Sequence, residues 1–520
     1  MDRQRRLTEQ PGDARLVVRP LPGTPDLAAL AAEAPGDVVW LDAGLPAGAP
    51  DAARERARWS VLAWTDGPFH AAFRHEGRRA HRTVADAARR WFGPSGSADR
   101  PAFDVLDELL ASTPTLPEAV PGCGFALGWV GFLGYELGRE ADGPDRTADT
   151  HADAELRFVD RAVVLRDDGV AWGLTLVADG EPAASAANRA WLGALAGVAD
   201  VAPRLPSAGV VDVAPRLPSA GAVDAAPRLP GGLEAPGRVA RVAYERAVET
   251  CRAEIREGNA FQVCLTTAFT VPGGDGHEGD PFLTEYLHLR AVDPVPFGAY
   301  LRLGPLRIAS RSPERFLRVT ADGVVTAEPI KGTRPRADDP DRDRAVRAEL
   351  ATSVKDRAEN VMIVDLLRND LLRTALPGSV RVDRLCEVET YASVHQLVST
   401  ISARLPTGAP RAATVRAAFP PGSMTGAPKR SATAIADRLE GAPRGVYSGA
   451  LGYFSASGAV DLSVVIRTLV TVLDDDGVVR SRTFGAGGAV TWSSVASDEA
   501  DEVETKTRSV LGGVGATASW

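Results

Sequence analysis

Only four of the 59 basic residues in this chain are lysines: Lys331, Lys355, Lys429 and Lys506. The first 330 positions contain none. A chain that uses arginine wherever charge alone is wanted keeps lysine for places where an ammonium does what a guanidinium cannot. Lys331 in EPIKGTRPR (328–336) follows two apolar residues and precedes Gly332-Thr333, so the sequence puts it at a strand-to-loop transition. A lysine held in a partly desolvated site can lose its proton and act as nucleophile or base. The alternative is a solvated surface lysine.

Two acidic stretches are candidates for metal chemistry. In KDRAENVMIVDLLRNDL (355–371), Asp356 and Glu359 are three apart on an expected helix and share one face. Paired carboxylates suit Mg²⁺, which takes a few carboxylates plus waters and often a bound anion; the alternative is pairing with arginines on a solvated face. In ASDEADEVETKTR (496–508), Asp501 and Glu504 have the same spacing. Alone that pattern is a solvated helix, and its interest is as a second carboxylate source facing the first.

Three further stretches could handle anions. FPPGSMTGAPKR (419–430) mixes glycines, hydroxyls and Lys429 just before an expected helix, whose N-terminus offers free N–H groups. Tyr447 in VYSGALGYF and Arg467 in DLSVVIRTLVTV are placed on strands. A guanidinium amid that apolar run needs a carboxylate partner, from protein or ligand. The glycines of FGAGGAV (484–490) could let backbone approach an anion, or simply form a turn. His395 in YASVHQLVST is flanked by apolar residues and reads equally as a satisfied core histidine.

These residues need elements to position them. The spacing predicts a helix over 238–258, a strand over 261–271, a hairpin through Asp322-Gly323, mostly helix over 341–373, and strands over 446–471 and 478–492. Before these lie an apolar glycine-punctuated run at 124–138, read as a buried strand pair, and two strands within 154–178. Between the halves, a Pro-rich unit recurs with a period of 12 from residue 200, expected as a disordered linker. The domains expected are an N-terminal region 1–196, the linker 197–236, and a catalytic region 237–520 that packs with the first into one large unit. Irregular alternation of strands and helices with several hairpins favours α+β.

Composition narrows the class. The chain has 520 residues, 44% hydrophobic and 24% charged, with net charge −9 and no basic stripe, which disfavours nucleic-acid binding. No run of 18 apolar residues and no signal-peptide pattern occurs, and the four cysteines are widely spaced. A cytoplasmic protein without disulfides or zinc is expected. Walker, GxGxxG, HExxH and GxSxG motifs are missing, as is a GxCxGxQ glutaminase signature.

Taken together, SPERF (312–316), EPIKGTRPR, KDRAENVMIVDLLRNDL, SVHQLVSTI, FPPGSMTGAPKR, VYSGALGYF, IRT and GAGGAV resemble the chorismate-utilising enzymes. This family includes the first components of anthranilate and aminodeoxychorismate synthases and the isochorismate and salicylate synthases. The resemblance runs from about 240 to 511, with a weaker match at 58–65 and 124–138. It implies an α+β fold like that of anthranilate synthase component I, with two packed antiparallel sheets and surrounding helices. PIKGT, where anthranilate synthases read PIAGT, points to the aminodeoxychorismate branch. There Lys331 would attack C2 of chorismate and expel the C4 hydroxyl, and ammonia would then add at C4. Anthranilate or 2-amino-2-deoxyisochorismate synthesis, or a non-catalytic chorismate-binding paralogue, are the alternatives.

The resemblance also implies roles. Glu314 matches the general acid. Gln262 stands where isochorismate synthases place a base, and His395 would orient one end of the ring. Thr333 and Thr425 would line the pocket. Tyr447, Arg467 and the backbone of Gly485, Ala486 and Gly487 would hold the carboxylates. Glu359 and Glu504 would bind Mg²⁺, supported by Asp356 and Asp501. The family's last motif ends in a lysine, for which Arg508 is the counterpart; a one-residue contraction would put Glu502 in the place of Asp501. With no glutaminase signature, ammonia is expected from a separate glutamine amidotransferase subunit in a heterodimer.

Overall fold

The computed structural model describes residues 14–45, 51–118, 120–140, 151–198, 232–273, 280–292, 294–391 and 394–520. The Pro-rich repeat lies, from 199 to 231, outside the described residues. The end of the expected linker is ordered differently: Leu233–Pro236 forms a strand parallel to Ala516–Ser519.

Two antiparallel sheets dominate. One has eleven strands and the other twelve. In the first, five strands from before the repeat (ending at Val38–Asp42) continue directly into six from after it, joined where Val38–Asp42 pairs with Phe297–Leu303. The twelve-stranded sheet has the same seam, between Gly128–Leu133 and Ala450–Ser455. The repeat therefore interrupts the sequence without interrupting either sheet.

Central strands such as Trp59–Trp64, Gly128–Leu133 and Ala171–Ala178 are buried on both faces, so they read as apolar runs rather than alternations. In VVWLD (38–42), Val39 faces the core between the sheets while Val38 and Trp40 face helices on the outer side. The inter-sheet core includes Phe132, Leu301 and Ile308, while Trp129 and Phe158, on the opposite face of the twelve-stranded sheet, pack against Phe92 of the helix Arg89–Phe92. The outer core packs Tyr244, Val248, Leu289, Val503 and Leu511 of three helices onto the eleven-stranded sheet. This is the α+β architecture expected from the sequence.

Two local expectations differ. The 124–138 run yields one strand, Gly128–Leu133, and a short 3₁₀ helix, Tyr135–Arg139, rather than a strand pair. The run AELRFVDRAVVLR forms two strands, Ala154–Val159 and Arg161–Arg166, in different sheets. Asp160 sits at the crossing, where its carboxylate accepts the Phe69 N–H (2.8 Å) and the Asn188 amide (3.1 Å).

Candidate active site

Other crossings between the sheets build a cavity of about 650 Å³. The chain passes from the strand Leu306–Ser312 in one sheet to Arg315–Val319 in the other through Pro313-Glu314. Beside it, residues 465–467 return from Val460–Val464 to Thr468–Leu473. The crossings are stitched together. The Arg311 N–H donates to the Arg467 carbonyl (3.0 Å), the Val464 N–H to the Glu314 carbonyl (3.0 Å), and the Ser312 hydroxyl to the Val464 carbonyl (2.6 Å). Arg467 turns its crossing with φ of 51°. It is therefore not mid-strand, as the apolar run suggested, but at the corner where strands of two sheets meet. Glu314 and Arg467 both reach the cavity wall.

Lys331 enters from the edge strand Ile330–Pro335 of the twelve-stranded sheet. A bulge lies between Lys331 and Thr333, which re-aims the side chains around it. Gly332 makes the bulge possible: its φ is +76°, and a Cβ there would stand 2.8 Å from the Asp356 Cβ. The helix Val354–Leu372 thus packs directly on the bulge. Asp356 fastens the contact by accepting hydrogen bonds from Arg334 Nη2 (2.8 Å) and the Ser353 hydroxyl (2.6 Å). Lys331, Thr333, Asp356 and Glu359 all line the cavity.

The opposite wall is the strand Val479–Thr491. Its neighbour Thr468–Leu473 stops pairing at Phe484, whereas Gln262–Thr270 continues along the other edge to Thr491. Among the described residues no strand covers the free edge from Gly485 onward, and Gly485, Ala486 and Gly487 face the cavity there. The Tyr447 ring lies on Gly485, where a Cβ would come within 2.3 Å of it.

The helix Ala496–Gly513 closes the site, on a different face from the one expected. Glu499, Glu502 and Lys506 line the cavity. Lys506 donates to the Gly487 carbonyl (2.7 Å) and pairs with Glu502 (2.7 Å). Glu499 Oε1 accepts from the Ser494 hydroxyl (2.7 Å), while its buried Oε2 has no partner. Asp501 and Glu504 point the other way, onto Arg241 of the helix Arg241–Arg256 (2.6 and 2.8 Å), and Glu504 also accepts from Trp520 Nε1 (2.8 Å). Arg508 is exposed outside the cavity. At about 100° per residue, a two-residue offset carries these side chains more than half-way round the helix.

Other expected residues also stand away from the wall. His395 is buried, with its ring nitrogens 2.9 Å from Thr390 Oγ1 and 3.0 Å from Asp343 Oδ1, fixing the helix Pro340–Thr352 to the sheet. Strand alternation instead turns the adjacent Gln396 to the cavity. Thr425 is buried below the wall formed by Ser423 and Met424. Gln262 is fully buried, both amide atoms unpartnered, two residues before the wall residue Cys264. Lys429 takes no part in the cavity. It braces the 419–428 loop by donating to the carbonyls of Ala418 (2.6 Å) and Pro420 (2.9 Å) while paired with Asp370 (2.8 Å).

Arg444, which sequence reasoning passed over, ties two walls together. It is paired with Glu440 and donates to the carbonyls of Met424 (2.6 Å) and Cys264 (2.8 Å). Lys355 and Lys506 had one signal in the sequence, the scarcity of lysine: three of the four lysines line this one cavity.

The electrostatics divide the carboxyls. Burial pushes Glu314 up from the usual range, against the opposing charge of Lys331. Burial also raises Glu359 and Glu499. At Glu502 burial acts upward too, but Lys506, Lys355 and Lys331 outweigh it and the net direction is down. Three carboxyls whose charge is disfavoured by burial thus share the cavity with one, Glu502, that the ammonium groups hold ionised.

A sequence profile described as chorismate binding enzyme matches residues 68–512. The chain belongs to the chorismate-binding enzyme family. Among curated family members, proteins named aminodeoxychorismate synthase from Streptomyces pristinaespiralis and Streptomyces griseus are each 42% identical, over 98% and 91% of this chain. The chain spans 67% and 60% of their respective lengths. The aminodeoxychorismate synthase component 1 of Salmonella typhimurium is 35% identical over 82% of this chain and 84% of its own. Anthranilate synthase component I from Streptococcus pneumoniae superposes with a TM-score of 0.67 at 25% identity, covering 87% of this chain and 92% of that one. No helix among the described residues is long and apolar enough to cross a membrane.

Proposed function

We propose that this chain aminates chorismate at C4, giving 4-amino-4-deoxychorismate on the way to p-aminobenzoate. Ammonia comes from a separate glutamine amidotransferase component, and the setting is cytoplasmic. The observation that carries this assignment is the pairing in one cavity of Lys331 with the buried acid Glu314. The names of the relatives support the same reaction, and "component 1" supports a partner.

The chemistry runs through these two groups. Lys331 Nζ forms a bond to C2 as the two conjugated ring double bonds shift towards C4 and the C4–O bond breaks. Glu314 supplies the proton with which the hydroxyl leaves as water. Ammonia then bonds to C4, both double bonds shift back, and the C2–N bond breaks to return Lys331. Arginine could not replace this lysine, because its guanidinium stays protonated. Arg467, Tyr447 and the free edge at 485–487 hold the substrate carboxylates.

The residues fit a hard divalent cation. Glu359, Glu499 and Glu502 all line the cavity, the Glu502 charge acts on the other two, and Glu499 offers a buried carboxylate oxygen without a partner. Among the described residues no three candidate ligands are gathered into a ready-made cluster. That suits Mg²⁺, which binds through one or two carboxylates and relies on substrate and water for the rest. When bound, Mg²⁺ would anchor a substrate carboxylate and offset negative charge.

The test is to incubate the purified chain with chorismate, Mg²⁺ and ammonium, then identify the product by mass spectrometry and chromatography. 4-Amino-4-deoxychorismate is expected, convertible to p-aminobenzoate by added lyase. Anthranilate would overturn the regiochemistry. Chorismate left unchanged even with a glutaminase partner added would overturn the enzyme assignment.

A further inference from the structure

Lys355 stands where helix physics disfavours it. It is in the first turn of the helix Val354–Leu372, whose free N–H groups make that end positive and favour acids over ammonium groups. It is one of four lysines in the chain and lines the cavity from an exposed position. Its charge acts on three carboxylates at once, Glu359, Glu499 and Glu502. Among the described residues it forms no hydrogen bond and no ion pair within 4 Å, whereas Lys506 is fixed to Glu502 and Gly487. Lys355 is a flexible, unfastened positive charge beside a group of carboxylates.

We propose that Lys355 is the charge that couples cation binding to substrate binding. This rests on the assignment of Glu359, Glu499 and Glu502 as the cation-holding carboxylates. With the site free of a divalent cation, the Lys355 ammonium partly offsets those carboxylates. An arriving cation repels it, and its unfastened four-carbon stem lets the ammonium swing away from the carboxylates. A dianionic substrate such as chorismate attracts it in its new position. Lys355 therefore opposes the cation when the cation binds alone, and favours the two ligands together. By linkage the coupling is reciprocal: each ligand tightens the other by the same factor.

The test is calorimetric, at constant ionic strength, with MgCl₂ alone, chorismate alone, and each in the presence of the other. In Lys355→Met, Mg²⁺ alone is expected to bind about fivefold or more tighter, because one positive charge near the dication is gone. Chorismate alone should bind more weakly, and the factor by which each ligand tightens the other should shrink. Lys355→Arg, which keeps the charge, should restore all three values toward wild type. A residue that only supported the fold would weaken both ligands in Lys355→Met, and that outcome, or an unchanged Mg²⁺ affinity, overturns the proposal. Glu499→Gln separates the two levels. If it leaves Mg²⁺ affinity intact, the cation assignment itself fails, and the Lys355 proposal with it. If it weakens Mg²⁺ while Lys355→Met does not tighten it, only the role of Lys355 is lost.

Discussion

Glu314 and Arg467 stand on neighbouring crossings between the two sheets, held edge to edge because the backbone carbonyl of each accepts a hydrogen bond from the other crossing: Val464 N–H donates to Glu314 and Arg311 N–H to Arg467, both at 3.0 Å. Their side chains enter the same cavity from a corner that both sheets must form before either residue is in place. Backbone hydrogen bonds at a corner of two sheets fix position more tightly than a surface loop would, which is what the proposed proton transfer from Glu314 requires.

Replacing the acid separates activity from stability. Glu314→Gln should lower kcat about 10²–10⁴-fold, since a positioned general acid contributes that much. Burial raises the Glu314 carboxyl, so the folded state holds this proton more tightly than the unfolded chain does. Stability therefore falls as pH rises from the ordinary carboxylate range through the raised value, and stays lower above it. Glu314→Gln should consequently be more stable than wild type at neutral pH. The wild-type rate should decline as pH rises through the same ionisation. Urea midpoints and pH–rate profiles measure both; a variant less stable than wild type at neutral pH would contradict the assigned direction.

Lys331→Gln removes the proposed nucleophile while keeping similar length. C4-amination should fall at least as far as with Glu314→Gln, and a covalent chorismate adduct trapped on the wild type should be lost from the Lys331 peptide. Retained para-amination with no adduct in wild type would remove the lysine from the mechanism.

Gly332→Ala tests the bulge. The new Cβ meets Asp356 at 2.8 Å, and alanine must adopt φ near +76°. Strain of that kind costs about 1–3 kcal/mol. Denaturant titration should show the loss of stability, and kcat should fall further than stability explains, because the bulge aims Lys331.

The two faces of the last helix are distinguishable by metal titration. Glu499→Gln should weaken Mg²⁺ at least about tenfold, since even indirect supporting partners of a metal cost that much when removed. Glu504→Gln should leave Mg²⁺ affinity unchanged and instead loosen the contact with Arg241. The reverse order would restore the face expected from the sequence.

Glu328 lies three residues before Lys331 and is bound by two buried guanidiniums, Arg56 (3.1 Å) and Arg315 (2.7 Å). Glu328→Gln leaves charges underpaired in the interior and should cost about 3–5 kcal/mol. A thermal midpoint unchanged from wild type would show that Glu389 and Asp461, which also pair with these arginines, suffice on their own.

Much of this was legible in the sequence. Apolar runs gave the strands, but Lys331, expected at a strand-to-loop transition, lies within the strand Ile330–Pro335 beside a bulge. Lysine scarcity pointed to four positions, of which Lys331, Lys355 and Lys506 line the cavity and Lys429 does not. The fold class followed from the element pattern together with the motif resemblance. What the sequence could not decide were the points where a chain leaves one sheet for the other. Arg467 and Asp160 each sit in a continuous apolar run that looks like one strand, and only the pairing partners on either side reveal the corner.

The last helix shows the limit most clearly. An acid, an acid and a base recur there at i, i+3 and i+7 twice, as Glu499, Glu502, Lys506 and as Asp501, Glu504, Arg508. Local spacing is identical for both sets, so the residues alone cannot choose between them. The choice is made by burial. Ala500, Val503, Val510 and Leu511 pack into the outer core, and that apolar stripe fixes the rotation of the helix. One set is then turned to the cavity and the other to Arg241. The sequence determined that a carboxylate pair and a base would lie on this helix; the packing of its hydrophobic face against the sheet determined which pair faces the cavity.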